Sequence, residues 1–231
     1  MISKLPRWVW AGAFVLAFCA GMINVIAILG FVHKGISHVT GNCSLWSIAV
    51  VDGDWKNIFQ ISLIVASFFG GAVLGGVLIG DARLRMGRRY GVALAIESAL
   101  LLASTYGFVK GFIYGECFAS MAAGLQNAMA STYSEAIVRT THLTGILTDL
   151  GSLTGNWMRG LHADAKRIRL LSVIFFSFLL GGIFAVICYH RMDAYSMLIP
   201  AGIIGSSAVG YELFRRELSK RHPHSHPHHP A

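Results

Sequence analysis

Long apolar runs alternate with short polar breaks along the chain, at a spacing that matches a lipid bilayer. A helix rising about 1.5 Å per residue needs about 20 predominantly apolar residues to cross. Six segments satisfy this: residues 8–32, 58–80, 90–109, 116–133, 168–189 and 194–214. Residues 39–51 and 142–155 are also apolar, but at about 13 residues each they have the length of re-entrant or interfacial segments. The pattern predicts an all-α integral membrane protein with six transmembrane helices and two short broken helices. Lys4 and Arg7 resemble the opening of a signal peptide. The apolar run behind them is too long for that, and no A-x-A-like site closes it, so a retained helix is expected.

Composition removes the soluble alternatives. Of 231 residues, 55% are hydrophobic and 13% charged, about half the charge of an ordinary soluble domain, and mean hydropathy is +0.60. The same figures exclude disorder, a collagen-like repeat and a disulfide scaffold. Cys19, Cys43, Cys117 and Cys188 lie singly in apolar surroundings, and reduced, space-filling thiols are expected. The net charge of +8 reflects basic clusters between the apolar runs, which argues for topology signals and against a nucleic-acid partner.

With the N-terminus inside and only the six long segments crossing, fifteen of the nineteen Lys and Arg fall on the inner side. Lys34, Lys56, Lys110 and Arg191 alone lie outside. Letting one short segment cross would place the cluster at Arg83, Arg85, Arg88 and Arg89, or the C-terminal basic cluster, on the outer side. The positive-inside bias therefore favours two re-entrant segments and cytoplasmic termini.

The chain also resembles itself. Ala20-Gly21-Met22-Ile23-Asn24 has a counterpart in Ala123-Gly124-Leu125-Gln126-Asn127, and Ser37-His38-Val39-Thr40-Gly41 in Thr141-His142-Leu143-Thr144-Gly145. A Ser-Phe stretch ending in Gly70-Gly71 pairs with one ending in Gly181-Gly182. Three spans per half force the halves to point in opposite directions. A 3+3 inverted repeat is expected, with residues 1–111 and 112–214 as the two units and 215–231 as a basic, His- and Pro-rich cytoplasmic tail. In such repeats, broken helices meet near the midplane around a substrate or ion site.

Candidate chemistry concentrates at those breaks. A helix that starts inside the membrane exposes N–H groups that hydrocarbon cannot satisfy, so its irregular backbone must be buried in protein or line a wet cavity. Thr40 and Thr144 have N-cap chemistry, and Gly41 and Gly145 allow close approach. Asn42 follows the first break. His38 and His142 stand just ahead of each cap, either as interfacial anchors or as donors to a solute. Free amides and the positive helix end suit a small anion or polar solute. Asn24, Gln126 and Asn127 lie inside spans and either bond across helices or line a pathway. Glu97, deep in the third span at a cost of roughly 2.5–3.5 kcal/mol, is either a site residue or an acid bonded to a neighbouring helix.

Other residues read locally. Glu116 is expected to be interfacial, Asp149 to share a helix face with His142, and Glu135 to pair with Arg139. The Gly71/Gly75, Gly76/Gly80 and Gly202/Gly205/Gly210 spacings suit tight packing within one bundle, and also allow a homo-oligomer. The tail histidines His222, His224, His226, His228 and His229 form a tract of the kind that binds transition metals loosely, and no other cofactor is implied. No paired catalytic carboxylates, nucleophile elbow, Walker loop or dinucleotide fingerprint is present, so an enzyme is not expected.

The two marked stretches, Ala20 to Asn24 and Ser37-His38-Val39-Thr40-Gly41-Asn42, resemble the signature of the YoaK-like bacterial membrane proteins, domain of unknown function 1275. Gly124 to Asn127 and Thr141 to Gly145 resemble that family's other marked stretch, and the likeness covers nearly the whole chain up to the tail. It implies a multi-spanning inner-membrane protein and supplies no activity. An Asp is common in the family where this chain has Asn24. The leading expectation is a small-solute transporter or channel with a midplane site at the two H-[VL]-T-G breaks. The alternatives are transition-metal transport or sensing through the tail with His38, His142 and Glu97 as ligands, and a non-transporting accessory subunit.

Overall fold

A computed structural model describes residues 7–30, 35–80, 88–133, 140–161 and 164–221, and among these there is no strand. The elements in order are α1 Arg7–Leu29, α2 Val39–Val51, α3 Trp55–Ile79, α4 Arg88–Lys110, α5 Tyr114–Tyr133, α6 Leu143–Met158, α7 Ala165–Met192, a 3-10 turn Asp193–Met197, and α8 Leu198–Arg221. The first short apolar run becomes α2 over its expected residues. The second extends three residues further than its pattern, to a stop at Gly160 with φ of 74°.

Local chemistry sets the ends. Asp54 Oδ1 accepts from the Asn57 amide at 3.1 Å to start α3. Asp164 Oδ1 accepts from the amides of Lys166 and Arg167 at 2.9 and 3.2 Å to start α7. A carboxylate at this position satisfies the orphan amides and complements the helix dipole. Gly80 closes α3 at φ 53°, a left-handed turn that glycine makes without steric cost. Asp193 makes a matching turn after α7 at φ 51° and, as a non-glycine residue there, is strained.

Among the described residues, four stretches are long and apolar enough to cross a membrane: Trp10–Leu29, Trp55–Ile79, Arg89–Lys110 and Ala165–Glu217. The last, 53 residues, comprises α7, the turn and α8. At about 1.5 Å per residue its helices have far more than the length of one crossing of about 30 Å. α5 falls outside this set because it carries Glu116, Ser120, Gln126 and Asn127. It packs against α1, α3 and α4, so three of its polar side chains (Glu116, Ser120 and Gln126) are sheltered by protein.

Helix directions follow from the contacts. Gly71 lies against Met121 and Gly75 against Ala128, so α3 and α5 run parallel. Gly21 lies against Phe178 and Gly182 against Val25, so α1 and α7 do too. Tyr90 faces Tyr211, and Ser98 Oγ donates to the Ala201 carbonyl at 2.8 Å, which makes α4 and α8 antiparallel.

The two parallel crossings repeat each other atom for atom. A Cβ on Gly21 would overlap the Phe178 carbonyl, and one on Gly124 would overlap the Phe68 carbonyl. Gly181 is held the same way against Phe18, and Gly71 against Met121. Each helix pair thus presses backbone onto backbone, an approach open only to the smallest residues. Gly75 serves the same interface, so the first glycine spacing is used inside the bundle as expected. Gly76, Gly202 and Gly210 face open space instead, and Gly205 faces Ser98. The main core joins Met22, Ile23 and Ile26 of α1 to Leu94 and Leu101 of α4, Leu125 and Met129 of α5, and Ile204 of α8.

Further details emerge, two of which change an expectation. Glu116 is buried at 2% exposure rather than interfacial, because Gly107 and Gly115 let the α4–α5 hairpin close tightly over it. Asp149 pairs with Arg167 of α7 at 2.8 Å, which ties α6 to the neighbouring helix. Cys43 is exposed on α2 rather than space-filling, while Cys19 and Cys188 are buried, all as free thiols. Glu135, Arg139 and the tail histidines lie outside the described residues.

Replacing Gly21 or Gly124 by Val is expected to destabilise the fold by about 1–3 kcal/mol through overpacking. Val at Gly70 or Gly202, where nothing lies within 4 Å, should leave stability unchanged. Thermal melts of the detergent-solubilised variants read the contrast directly.

Candidate functional site

The two short helices begin alongside the long helices, away from their ends. α2 packs against α3 as the return arm of a hairpin, with Trp46 Nε1 donating to Ser62 Oγ at 3.0 Å. The residues leading into α2 lie beside Ile64, since Ser120 Oγ of α5 sits 2.8 Å from the Ile64 carbonyl and 3.1 Å from that of Ile36. Ile64 is nine residues into α3, or about 13 Å of helix rise. α6 rests on α7 in the same manner, with Leu143 and Ile146 packed among Leu170, Leu171, Ile174 and Phe175.

An asparagine binds the residues ahead of each short helix, reaching a backbone amide at the first turn and side-chain hydroxyls at both. Asn24 Oδ1 of α1 accepts from Ser37 Oγ at 3.0 Å and from the Ser37 amide at 3.5 Å. Asn127 Nδ2 of α5 donates to Thr141 Oγ1 at 2.5 Å, and Asn127 Oδ1 accepts from Thr140 Oγ1 at 3.3 Å. At the first turn Asn42, 2% exposed, ties the loop to the helix by donating from Nδ2 to the Gly35 carbonyl at 2.9 Å.

The cap itself differs from expectation. Helix geometry begins one residue before the threonines, so His38 and His142 occupy the N-cap positions and neither makes a side-chain capping bond. Their backbones match closely, at φ −91°, ψ 64° and φ −90°, ψ 60°. Thr40 and Thr144 lie in the first turn with exposed side chains, and their carbonyls accept from Ser44 Oγ at 3.1 Å and Thr148 Oγ1 at 2.9 Å. The reason is the imidazole. Each ring folds back over the first turn and fills the volume that a Cβ on Gly41 or Gly145 would need. The H-x-x-G spacing is therefore one unit, a ring seated on a bare Cα.

The two turns do not share a pocket. α2 packs on α3 and α6 on α7, and α2 does not touch α6. Gln126 Nε2 donates to the Leu16 carbonyl at 2.9 Å, which sets the end of α5 beside Leu16, about 12 Å of helix rise from Asn24. A groove of about 410 Å³ opens at the second turn, lined by Leu143, Thr144, Leu147, Thr148 and Phe175. Glu97 stands apart from both turns, fully buried. His38, His142 and Glu97 are thus not gathered as metal ligands, and among the described residues no group of three or more His, Cys, Asp or Glu is placed to hold a metal ion.

Several participants escaped the sequence reading. Ser37 and Thr141 precede the histidine in both stretches, so their recurrence was visible, but their role depends on an asparagine 13 or 14 residues away. Gly35, Thr140 and Ser120 gave no signal, since Gly35 acts through its carbonyl and Thr140 and Ser120 through long-range contacts.

Buried irregular backbone, apolar helices and polar side chains turned inward define a helical membrane protein. Residues 12–210 match the family model described as "Protein of unknown function (DUF1275)", and the chain belongs to that family. The UPF0700 transmembrane protein YoaK of Bacillus subtilis (strain 168) is 25% identical over 141 residues, which cover 59% of this chain and 63% of that relative, less than two thirds of its length. No solved structure matches the chain.

The ring-on-glycine unit has a direct test. Gly41→Ala and Gly145→Ala should each destabilise the protein, and His38→Ala or His142→Ala should rescue the matching variant. A double-mutant cycle on melting should return a coupling of about 0.5–3 kcal/mol.

Proposed function

We propose that this protein moves a small polar or anionic solute across the bacterial inner membrane, as a transporter or channel. In this reading α1, α3, α4, α5, α7 and α8 cross the membrane. α2 and α6 are re-entrant, the two halves form a 3+3 inverted repeat, and both termini are cytoplasmic. Recurrence supports it: the Gly21 and Gly124 crossings, the Asn24 and Asn127 bonds, and the His38 and His142 caps correspond at offsets of 103–104 residues. The antiparallel and parallel helix pairs are those that six crossings require.

The observation that carries the reading is the asparagine-held turn at the start of each short helix. A purely structural helix has no need to begin at depth and leave polar backbone to be satisfied there. Two such turns, one reached from each side, provide amide-rich ends where a solute sheds water in steps. The separation of the turns changes the expected single midplane site into two half-sites. Alternating access in inverted repeats works by rocking one half against the other, exposing such sites in turn. We read the chain as non-enzymatic, and no observation favours the metal reading.

Two measurements test this. With the native cysteines replaced, a cysteine at Ser44 should be labelled by an impermeant maleimide from outside and one at Thr148 from inside. Labelling of both from one face refutes the inverted arrangement. In proteoliposomes carrying a panel of radiolabelled amino acids, sugars and carboxylates, Asn24→Ala and Asn127→Ala should each slow flux about tenfold, the kinetic weight of one hydrogen bond. No flux of any solute by the unaltered protein refutes transport.

A further inference from the structure

Glu97 is a buried acid that takes no part in either turn. It is 0% exposed, and neither carboxyl oxygen has a hydrogen-bond partner among the described residues. Its level in the bundle follows from the α4–α5 hairpin. Ser104 Oγ donates to the Gly115 carbonyl at 2.7 Å, and the helices run antiparallel from there. Seven residues earlier on α4, Glu97 lies opposite the middle of α5, between Ser120 and Gln126. Gln126 is also fully buried, and its Oε1 has no partner while its Nε2 reaches α1. On the α8 side, the neighbouring Ser98 binds the Ala201 carbonyl. Glu97 therefore sits where α1, α4, α5 and α8 meet.

Among the described residues no countercharge is placed against it. Cys19 of α1 is a titratable group facing it, and the core of these helices is built of Met22, Ile23, Leu94, Leu101 and Leu125. Glu116 of α5 lies towards the far end of the hairpin. On the α8 side, Asp193 is eight residues before Ala201, and Glu212, bound to Arg215 and Arg216, is eleven residues beyond it. A carboxylate charge left alone in such a place bears a desolvation penalty of several kcal/mol, whereas a carboxylic acid carries no net charge. An ionisable side chain kept at the centre of a membrane bundle without a structural bond marks an ion or proton path.

We propose that Glu97 is a proton-binding site that exchanges its proton only when the junction of α1, α4, α5 and α8 opens to water. Resting on the transport reading, this makes the coupling ion a proton. While the centre is closed, the acid is neutral. When water enters, the carboxyl O–H bond breaks, the proton passes to water, and the carboxylate is solvated by that water. Reclosure requires a proton to be taken back. Charge thus appears at Glu97 in the open state alone, which links its protonation to the movement of the halves. Gln126 of α5, whose Oε1 has no partner among the described residues, is available to hold the entering water.

Infrared difference spectra of the full chain in lipid nanodiscs test the inference. A pH step should remove a protonated-carboxyl carbonyl band, the band should shift in D₂O, and Glu97→Gln should abolish it. A carbonyl band that ignores both pH and D₂O in the unaltered protein identifies a locked structural acid and overturns the proposal, without relying on any variant to fold. A responsive band that persists in Glu97→Gln also overturns it, because the proton site then lies elsewhere. The solute panel in proteoliposomes separates the two ideas. Flux without proton exchange at Glu97 refutes this inference alone. Exchange at Glu97 without flux supports the proton site and refutes the transport reading.

Discussion

Backbone pressed against backbone at four glycines is the constraint on which the rest of this structure depends. Gly21, Gly181, Gly71 and Gly124 each face a carbonyl that leaves no room for a Cβ. Between helices in a bilayer there is no hydrophobic drive to associate, because lipid tails are as apolar as the side chains they would replace. Close van der Waals contact must supply the attraction, and it weakens steeply with distance. These crossings lock α1 to α7 and α3 to α5. They thereby set the depth at which Asn24 and Asn127 meet the turns ahead of α2 and α6.

From that depth follows the chemistry of the turns. Each turn ahead of a short helix is tied to the preceding long helix by an asparagine. An amide side chain suits this task because it both donates and accepts. The two turns use different ends of it: Asn24 accepts from Ser37, whereas Asn127 donates to Thr141 and accepts from Thr140. Below each turn a histidine ring occupies the hollow above a glycine. The two halves of the protein also differ in detail: Ser120, which braces the first turn through the Ile36 carbonyl, has Ala17 at the corresponding place in α1.

Much of the fold was legible in the residue pattern. The extent of α2 follows from its apolar length, and the long helices follow from runs of about 20 residues bounded by Asp54, Asp164 and Gly80. Part of the site was legible as well, since recurrence of H-[VL]-T-G marked where helices restart. Its internal arrangement was not. The threonines look like caps in sequence, yet the histidine ring competes for the first turn and moves the cap by two residues. Glu116 looks interfacial until Gly107 and Gly115 close the hairpin around it.

The sequence by itself determined that this chain belongs in a bilayer, which runs form its long helices, and which short stretch recurs in its second half. These are local properties, set by hydropathy over 20 residues and by the stereochemistry of Asp, Gly and His at helix ends. Only the tertiary structure decided that the two turns stand apart and that Asp149 binds Arg167. The same holds for Glu97, left without a partner at the junction of four helices. Such outcomes depend on the rotation and depth of each helix against its neighbours, which packing settles over distances of a hundred residues and which no local pattern encodes.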